Sequence, residues 1–134
     1  MSEKDRIALQ QLREQLLHEH VDAENHYDVD RVIATFTHPR YEIVPTGAVF
    51  DGEPEVRRYY AESPRIGHSR YEVLRLHHGD DAVVVELRTH PTAGAAAGAP
   101  DLLSAAVFVF DGPDLVCERV YFDRAQFDVG FRAH

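Results

Sequence analysis

Residues 28–52 read DVDRVIATFTHPRYEIVPTGAVFDG and are followed at 55–63 by EVRRYYAES. Asp28 is a natural helix cap, and Val29, Val32, Ile33 and Phe36 recur behind it at helical spacing, so a short amphipathic helix opens here. Pro39 restricts the backbone of His38 and stops that helix. Residues 41–44 and 48–50 are strand-like and turn about Pro45-Thr46-Gly47. A further helix from about 54 to 62 carries Pro54 at a favourable early position and ends before Ser63-Pro64.

Working outward, residues 3–25 contain no Pro or Gly and are rich in helix formers. Leu9, Leu12, Leu16 and Ala23 mark one face, while Glu3, Lys4, Arg13 and Glu14 suit water. Downstream lie four strand-like runs at 69–78, 82–90, 102–110 and 115–124. Gly79-Asp80-Asp81 and Asp111-Gly112-Pro113-Asp114 are short polar turns that suit antiparallel hairpins. The stretch PTAGAAAGAP at 91–100 predicts a mobile loop, either a plain linker or a lid. Helices first and strands afterwards predict an α+β fold. The expected architecture is a cone, a curved antiparallel sheet of about six strands wrapped around three helices of the N-terminal half and enclosing a pocket. Residues 1–134 are expected to form a single domain.

Composition narrows the function. The 14 Lys+Arg against 23 Asp+Glu give a formal charge of −9, which repels phosphate backbones and anionic membranes, so neither nucleic acid nor membrane is an expected partner. Arg57, Arg58 and Arg65 are the candidates for a local basic patch, and they read more simply as solvated helix arginines. No apolar run reaches the ~20 residues of a membrane span. The first residues, MSEKDRIALQQ, lack the apolar core of a secretion signal, so the cytoplasm is the expected location. One cysteine, Cys117, excludes an intrachain disulfide and reads as a small buried thiol.

The segments DVDRVIATF, the PTG turn, GEPEVRRYYAES and the terminal CERVYFD resemble the nuclear transport factor two-like superfamily, and in particular its SnoaL-like branch. The resemblance covers most of the chain in order. It implies the cone fold, a small hydrophobic molecule as partner, a homodimer and no cofactor. Members include polyketide cyclases, ketosteroid isomerases, epoxide hydrolases, dehydratases and non-catalytic binders, so the reaction does not follow from the fold. Ketosteroid isomerases carry an Asp before the Pro of the turn, where this chain has Val44. Their second acid falls near Ala106. Neither can transfer a proton, which disfavours that mechanism. SnoaL-type cyclases use an acidic residue on the late strands, and Asp123 is the match.

Alternation on the last strand puts Cys117, Arg119, Tyr121 and Asp123 on one face and Val116, Glu118, Val120 and Phe122 on the other. The first face is expected to wall the pocket. There Asp123 would be the catalytic carboxylate, raised by desolvation, and Tyr121 a hydrogen-bond donor. The plainer reading leaves Asp123 in solvent or paired with Arg119 or Arg124. His38, in the THPRY corner, is either a general base at the pocket mouth or a turn residue. His20 follows Leu16 by one helical turn and points inward with Tyr27, either lining the pocket or as a satisfied core histidine. Tyr41, Tyr59 and Tyr60 offer hydroxyls or aromatic walls. Glu86 and His90 share a face of VVVELRTH and become acid/base candidates if it is concave. They are an exposed ion-paired face if Arg75 and His77 lie across from them. His18, Asp22 and His26 line one helix edge, but the outer two are ~12 Å apart, too far for one ion. No metal site is expected.

The reading that results is a cofactor-independent SnoaL-like enzyme doing acid/base chemistry, of cyclase, isomerase or hydrolase type, on a hydrophobic carbonyl compound. The alternative is a non-catalytic ligand-binding or dimerising module.

Overall fold

Helix α1 (Glu3–Asn25) begins where the Ser2 hydroxyl accepts the Asp5 amide at 3.1 Å. It ends in a Schellman turn, with the Asp28 amide on the Ala23 carbonyl at 2.9 Å and the Tyr27 amide on Glu24 at 3.0 Å. Such a turn needs a left-handed residue, and here Tyr27, not glycine, takes φ 52°. The computed structural model describes residues 1–63, 69–92 and 100–126. The rest of its elements are α2 (Val29–Ala34), β1 (Arg40–Ile43), β2 (Ala48–Asp51), α3 (Glu53–Glu62), β3 (Ser69–His78), β4 (Ala82–Pro91), β5 (Leu102–Asp111) and β6 (Asp114–Phe122). The expected Pro/Gly/Ala loop lies mostly outside the described residues, as does Arg65.

Asp28 caps α2 through the Arg31 amide at 3.2 Å, as its position implied. The helix is shorter than the apolar spacing predicted. It stops at Ala34 because Phe36 and Thr37 pair with Leu115 of β6. The β1–β2 hairpin turns through residues 44–47, where Gly47 takes φ 76°, open to glycine without strain.

The strands form one sheet in the order β2-β1-β6-β5-β4-β3. It is mixed and open, whereas an antiparallel one was expected: β1 runs parallel to β6, with Tyr41 beside Glu118 and Ile43 beside Val120. Hairpin neighbours must be antiparallel. β1 and β6 are far apart in sequence, so no short turn dictates their direction. Leu17 and Val21 of α1, Val32 of α2, and Val56, Tyr59 and Tyr60 of α3 pack with the inner face of the sheet in one hydrophobic core. That sheet face presents Val83, Val85, Ala106, Phe108, Phe110, Leu115 and Val120.

The inward stripe of α1 is rotated from the predicted one. Leu12 is half exposed, and Arg13, Leu17, His20, Val21 and Glu24 are buried. Arg13 is satisfied by backbone carbonyls. Its Nε donates to Gly112 at 3.0 Å and its NH1 to Asp80 at 3.0 Å, with the guanidinium 5.0 Å from the Phe110 ring centre. This clasps the first half of α1 to the tips of both long hairpins and leaves its second half over the middle of the sheet, where the polar cluster forms.

Candidate functional site

His20 is wholly buried, and its ring lies edge-on to Phe36 and Phe108 at 5.4 and 5.2 Å. Helix α1 supplies His20 and, one turn later, Glu24. The end of α2 supplies Thr35, β1 supplies Tyr41, α3 supplies Tyr60 and β6 supplies Glu118. On one side of the imidazole, Nδ1 stands 2.8 Å from the Thr35 hydroxyl oxygen. On the other, Nε2 faces a Glu118 oxygen at 2.7 Å, a Glu24 oxygen at 3.3 Å and the Tyr41 hydroxyl at 3.3 Å. The two phenols meet at 2.6 Å, and Tyr60 reaches the second Glu24 oxygen at 3.2 Å.

The protons can be assigned by counting donors. Thr35 has one hydroxyl proton and gives it to the Val32 carbonyl at 2.6 Å, so toward Nδ1 it can only accept, and Nδ1 carries hydrogen. Tyr60 donates to Glu24, so Tyr41 donates to Tyr60 and has only lone pairs left for Nε2. Every group around Nε2 is then an acceptor, and Nε2 must be protonated too. His20 is an imidazolium. Burial by itself opposes that charge, but the facing Glu24 and Glu118 outweigh it and raise the pKa from 6.5 to about 10. Burial and the same two carboxylates hold Tyr41 and Tyr60 well above the usual phenol value. They are neutral donors across the physiological range.

His20, Glu24 and Glu118 place one ligand atom each within 4.8 Å of one another, a donor set that suits a divalent cation. The Nε2–Glu118 separation of 2.7 Å is that of a hydrogen bond. Two ligands on a tetrahedral zinc stand about 3.4 Å apart, so an ion would have to spread the cluster, and a proton fits it as it stands.

The interior beside His20 is filled by Phe36, Phe108 and Tyr41. An open cleft of about 230 Å³ lies one ring away, between the β1–β2 turn and the last turn of α3. Tyr59 is the partition. It lines the cleft, and its ring packs on Tyr41 at 5.0 Å and on Phe50 at 4.8 Å.

Of the residues singled out in the sequence, the structure brings together His20 and Tyr41, with Tyr59 behind them. Tyr27 is half exposed but donates to the Tyr60 carbonyl at 2.6 Å, so it braces that helix end. The others lie elsewhere. Asp123 is exposed, and its carboxylate caps the following turn through the amides of Ala125 and Gln126 at 2.9 and 3.3 Å. Tyr121 is 42% exposed. The alternation on β6 was read correctly, but the opposite face points inward. The core takes Val120 and the partly buried Phe122, with Leu115 in place of Val116 beyond a bulge in the β5–β6 register, and Glu118 goes in with them, neutralised by His20. His38 is exposed and pairs with Asp51 at 2.8 Å. Glu86 pairs with His77 and Arg75 at 2.6 and 3.1 Å, and His90 with Glu72 at 2.8 Å and Asp101 at 3.2 Å, all on the outer face. Cys117 is buried, and burial raises its thiol to about 11, so it is inert.

Glu118 and Glu24 went unread as site residues, although each left a signal. Glu118 is the lone charge among Val116, Val120 and Phe122, and Glu24 lies one helical turn beyond His20.

Residues 17–118 match the family described as SnoaL-like domain, and the chain belongs to that family. Comparison with curated proteins gives no match. Solved structures share the fold at low identity. SalBIII, an epoxide hydrolase/cyclase-like enzyme in pyran-ring formation in the polyether salinomycin, is 21% identical, with 87% of this chain and 95% of that chain covered and a TM-score of 0.71. TerC, co-crystallised with polyporic acid, is 13% identical over 87% and 95%, with a TM-score of 0.73. An NTF2-like protein of unknown function from Burkholderia pseudomallei is 19% identical over 87% and 95%, with a TM-score of 0.70. Among the described residues no helix is long and apolar enough to cross a membrane.

The protonation of His20 sets a pH profile for stability. Its folded pKa, about 10, lies above the ordinary 6.5, so the stability it supplies is complete below about pH 6.5 and is lost as pH rises through 10. In between, only the unfolded chain releases the proton, and stability falls by ~1.4 kcal/mol per pH unit. Urea unfolding at pH 7, 8 and 9 should show this fall, and His20→Gln should flatten it. A wild-type profile flat over that range contradicts the assignment.

Proposed function

We propose that this chain is an enzyme that needs no cofactor and moves protons on a small, largely apolar carbonyl compound. One observation carries the reading: an imidazolium, two carboxylates and two neutral phenols share a water-excluded core, one aromatic ring from an open cleft. Structural groups of this kind are costly to bury, and perturbed clusters beside clefts mark sites of chemistry. SalBIII, an epoxide hydrolase/cyclase-like enzyme of the same fold, supports the class of reaction.

In this reading the substrate enters from the cleft as the Tyr59 ring turns aside. Its carbonyl oxygen accepts from the paired Tyr41 and Tyr60 hydroxyls, whose high pKa suits donors. Glu24 takes a proton from the carbon next to the carbonyl. The C–H electron pair moves into the enolate, and the oxygen's charge is met by the phenols and the imidazolium. Glu24 then returns the proton to carbon. Glu118, hydrogen-bonded to Nε2 at 2.7 Å, holds His20 in its charged form. Asp123, at the surface, has no part in it.

A second reading rests on a separate observation. All the cluster's hydrogen bonds close within the protein, as they would in a rigid core supporting a non-catalytic binder. Deuterium exchange at the α-carbon of small cyclic ketones such as 2-tetralone, followed by proton NMR in D2O, separates the two. The enzyme accelerates exchange over buffer, and Glu24→Gln and Tyr41→Phe each lower it by about 10²–10³-fold with circular dichroism unchanged. Binding without exchange across the ketones leaves the binder.

We also infer a homodimer formed through the outer face of the sheet. Val84, Ala105, Val107 and Val109 make a half-buried apolar strip there, with Leu103 59% and Tyr121 42% exposed beside it. The strip is flanked by the Glu42–Arg119 and Glu86–Arg75 pairs, opposite charges that a second copy can meet in reverse. Light scattering at micromolar concentration should give twice the chain mass, and a monomer would contradict the inference.

A further inference from the structure

The cleft has a chemistry of its own. Ile43, Ala48, Phe50 and Tyr59 form an apolar floor and wall, and the polar groups at its edge are Thr46, Glu62 and Ser63. The Phe50 and Tyr59 rings stand 4.8 Å apart at 36°, two faces that a third flat ring can extend. Its volume, about 230 Å³, exceeds the ~150 Å³ of a cavity that holds benzene, so it suits one or two fused rings.

Charge narrows the occupant further. Among the described residues, Glu62 is the one charged residue lining the cleft. The neighbouring cation, Arg58, is engaged by Glu55 at 2.6 Å and Glu62 at 3.0 Å, and its guanidinium lies 4.9 Å from the Phe50 ring centre. The Thr46 hydroxyl donates to the Ile43 carbonyl at 3.2 Å, so toward a ligand it presents lone pairs. Glu62 and Thr46 thus offer acceptors at the rim, and a protein of net charge −9 adds a long-range bias against anions.

We propose that the cleft binds an uncharged flat compound of one or two rings bearing a hydroxyl group. The ring lies on Phe50 and Tyr59, and the hydroxyl donates to Glu62. As the substrate's approach to the buried cluster, this deepens the function proposed above and rests on it. As a binding site, it does not need His20 or Glu24.

The test uses 2-naphthol, neutral at pH 7, and 2-naphthoate, its anionic analogue, titrated into the full chain while the methyl signals of Ile43 and Ala48 are followed by NMR. The proposal expects 2-naphthol to shift both methyls and to bind at least fivefold more tightly than 2-naphthoate. Glu62→Lys, on an exposed side chain that folding tolerates, should reverse that preference. Glu24→Gln should leave 2-naphthol binding unchanged, so that a failure of the catalytic reading stays separate from a failure of this one. Unmoved cleft methyls overturn the proposal. So does equal affinity for the two compounds, or a preference that Glu62→Lys leaves as it was.

Discussion

A histidine ring without water around it must place both nitrogens against protein atoms, and in this fold the two sides of His20 are served by different parts of the chain. Thr35 at the end of α2 serves Nδ1. Glu118 on β6, Glu24 on α1 and Tyr41 on β1 surround Nε2. The carboxylates make the ring positive, and the positive ring makes burial of the carboxylates tolerable. Removing His20 alone would leave the two carboxylates facing each other in the core, a loss of about 3–5 kcal/mol in comparable buried pairs. The cluster therefore fixes where α1 lies over the sheet and why the unforced parallel pairing of β1 with β6 occurs, since that pairing sets Tyr41 beside Glu118.

The ends of α1 are held to match. Arg13 fastens the first half to both hairpin tips through carbonyls alone, which spares it a carboxylate partner. At the other end Tyr27 accepts a left-handed backbone, a cost of ~1–2 kcal/mol where glycine would be free. Its hydroxyl then reaches the Tyr60 carbonyl and its ring lies edge-on to the Tyr60 ring, 6.3 Å between centres. Strain spent at that position steadies the phenol that donates to Glu24. The helix thus carries a polar inward stripe, Arg13–His20–Glu24, each member answered by a different layer of the fold.

Most of the architecture was legible, because it is written in local signals. The Asp28 cap, the PTG turn and the two polar hairpin turns each leave a local trace, and the strand runs fall close to their observed bounds. The parallel β1–β6 pairing was not legible, since nothing local records the direction of strands joined by no turn. The site was half legible. His20 announced itself as a titratable residue on an inward helix face, and Tyr41 as an aromatic on a strand. Asp123 misled because alternation gives two faces but not which is inward. On β6 the hydrophobic majority decided it, and Glu118 was carried inside by a partner 98 residues away. The outer-face ion pairs of Glu86 were foreseeable from Arg75 and His77 on the adjacent strand, and they occur, whereas His90 pairs with Glu72 and Asp101.

The proposed function rests on this charge arrangement. Neutral phenols poised as donors and a carboxylate beside them are what enolate chemistry requires, and the imidazolium supplies the countercharge that such a site would otherwise take from a metal. All of it depends on His20 holding two protons in the folded protein. The most direct measurement is nitrogen-15 NMR of the imidazole at pH 8, well above the ordinary histidine value. The account predicts that both ring nitrogens of His20 carry hydrogen there. A single protonated nitrogen at that pH, titrating near 6.5 like a free side chain, would contradict it.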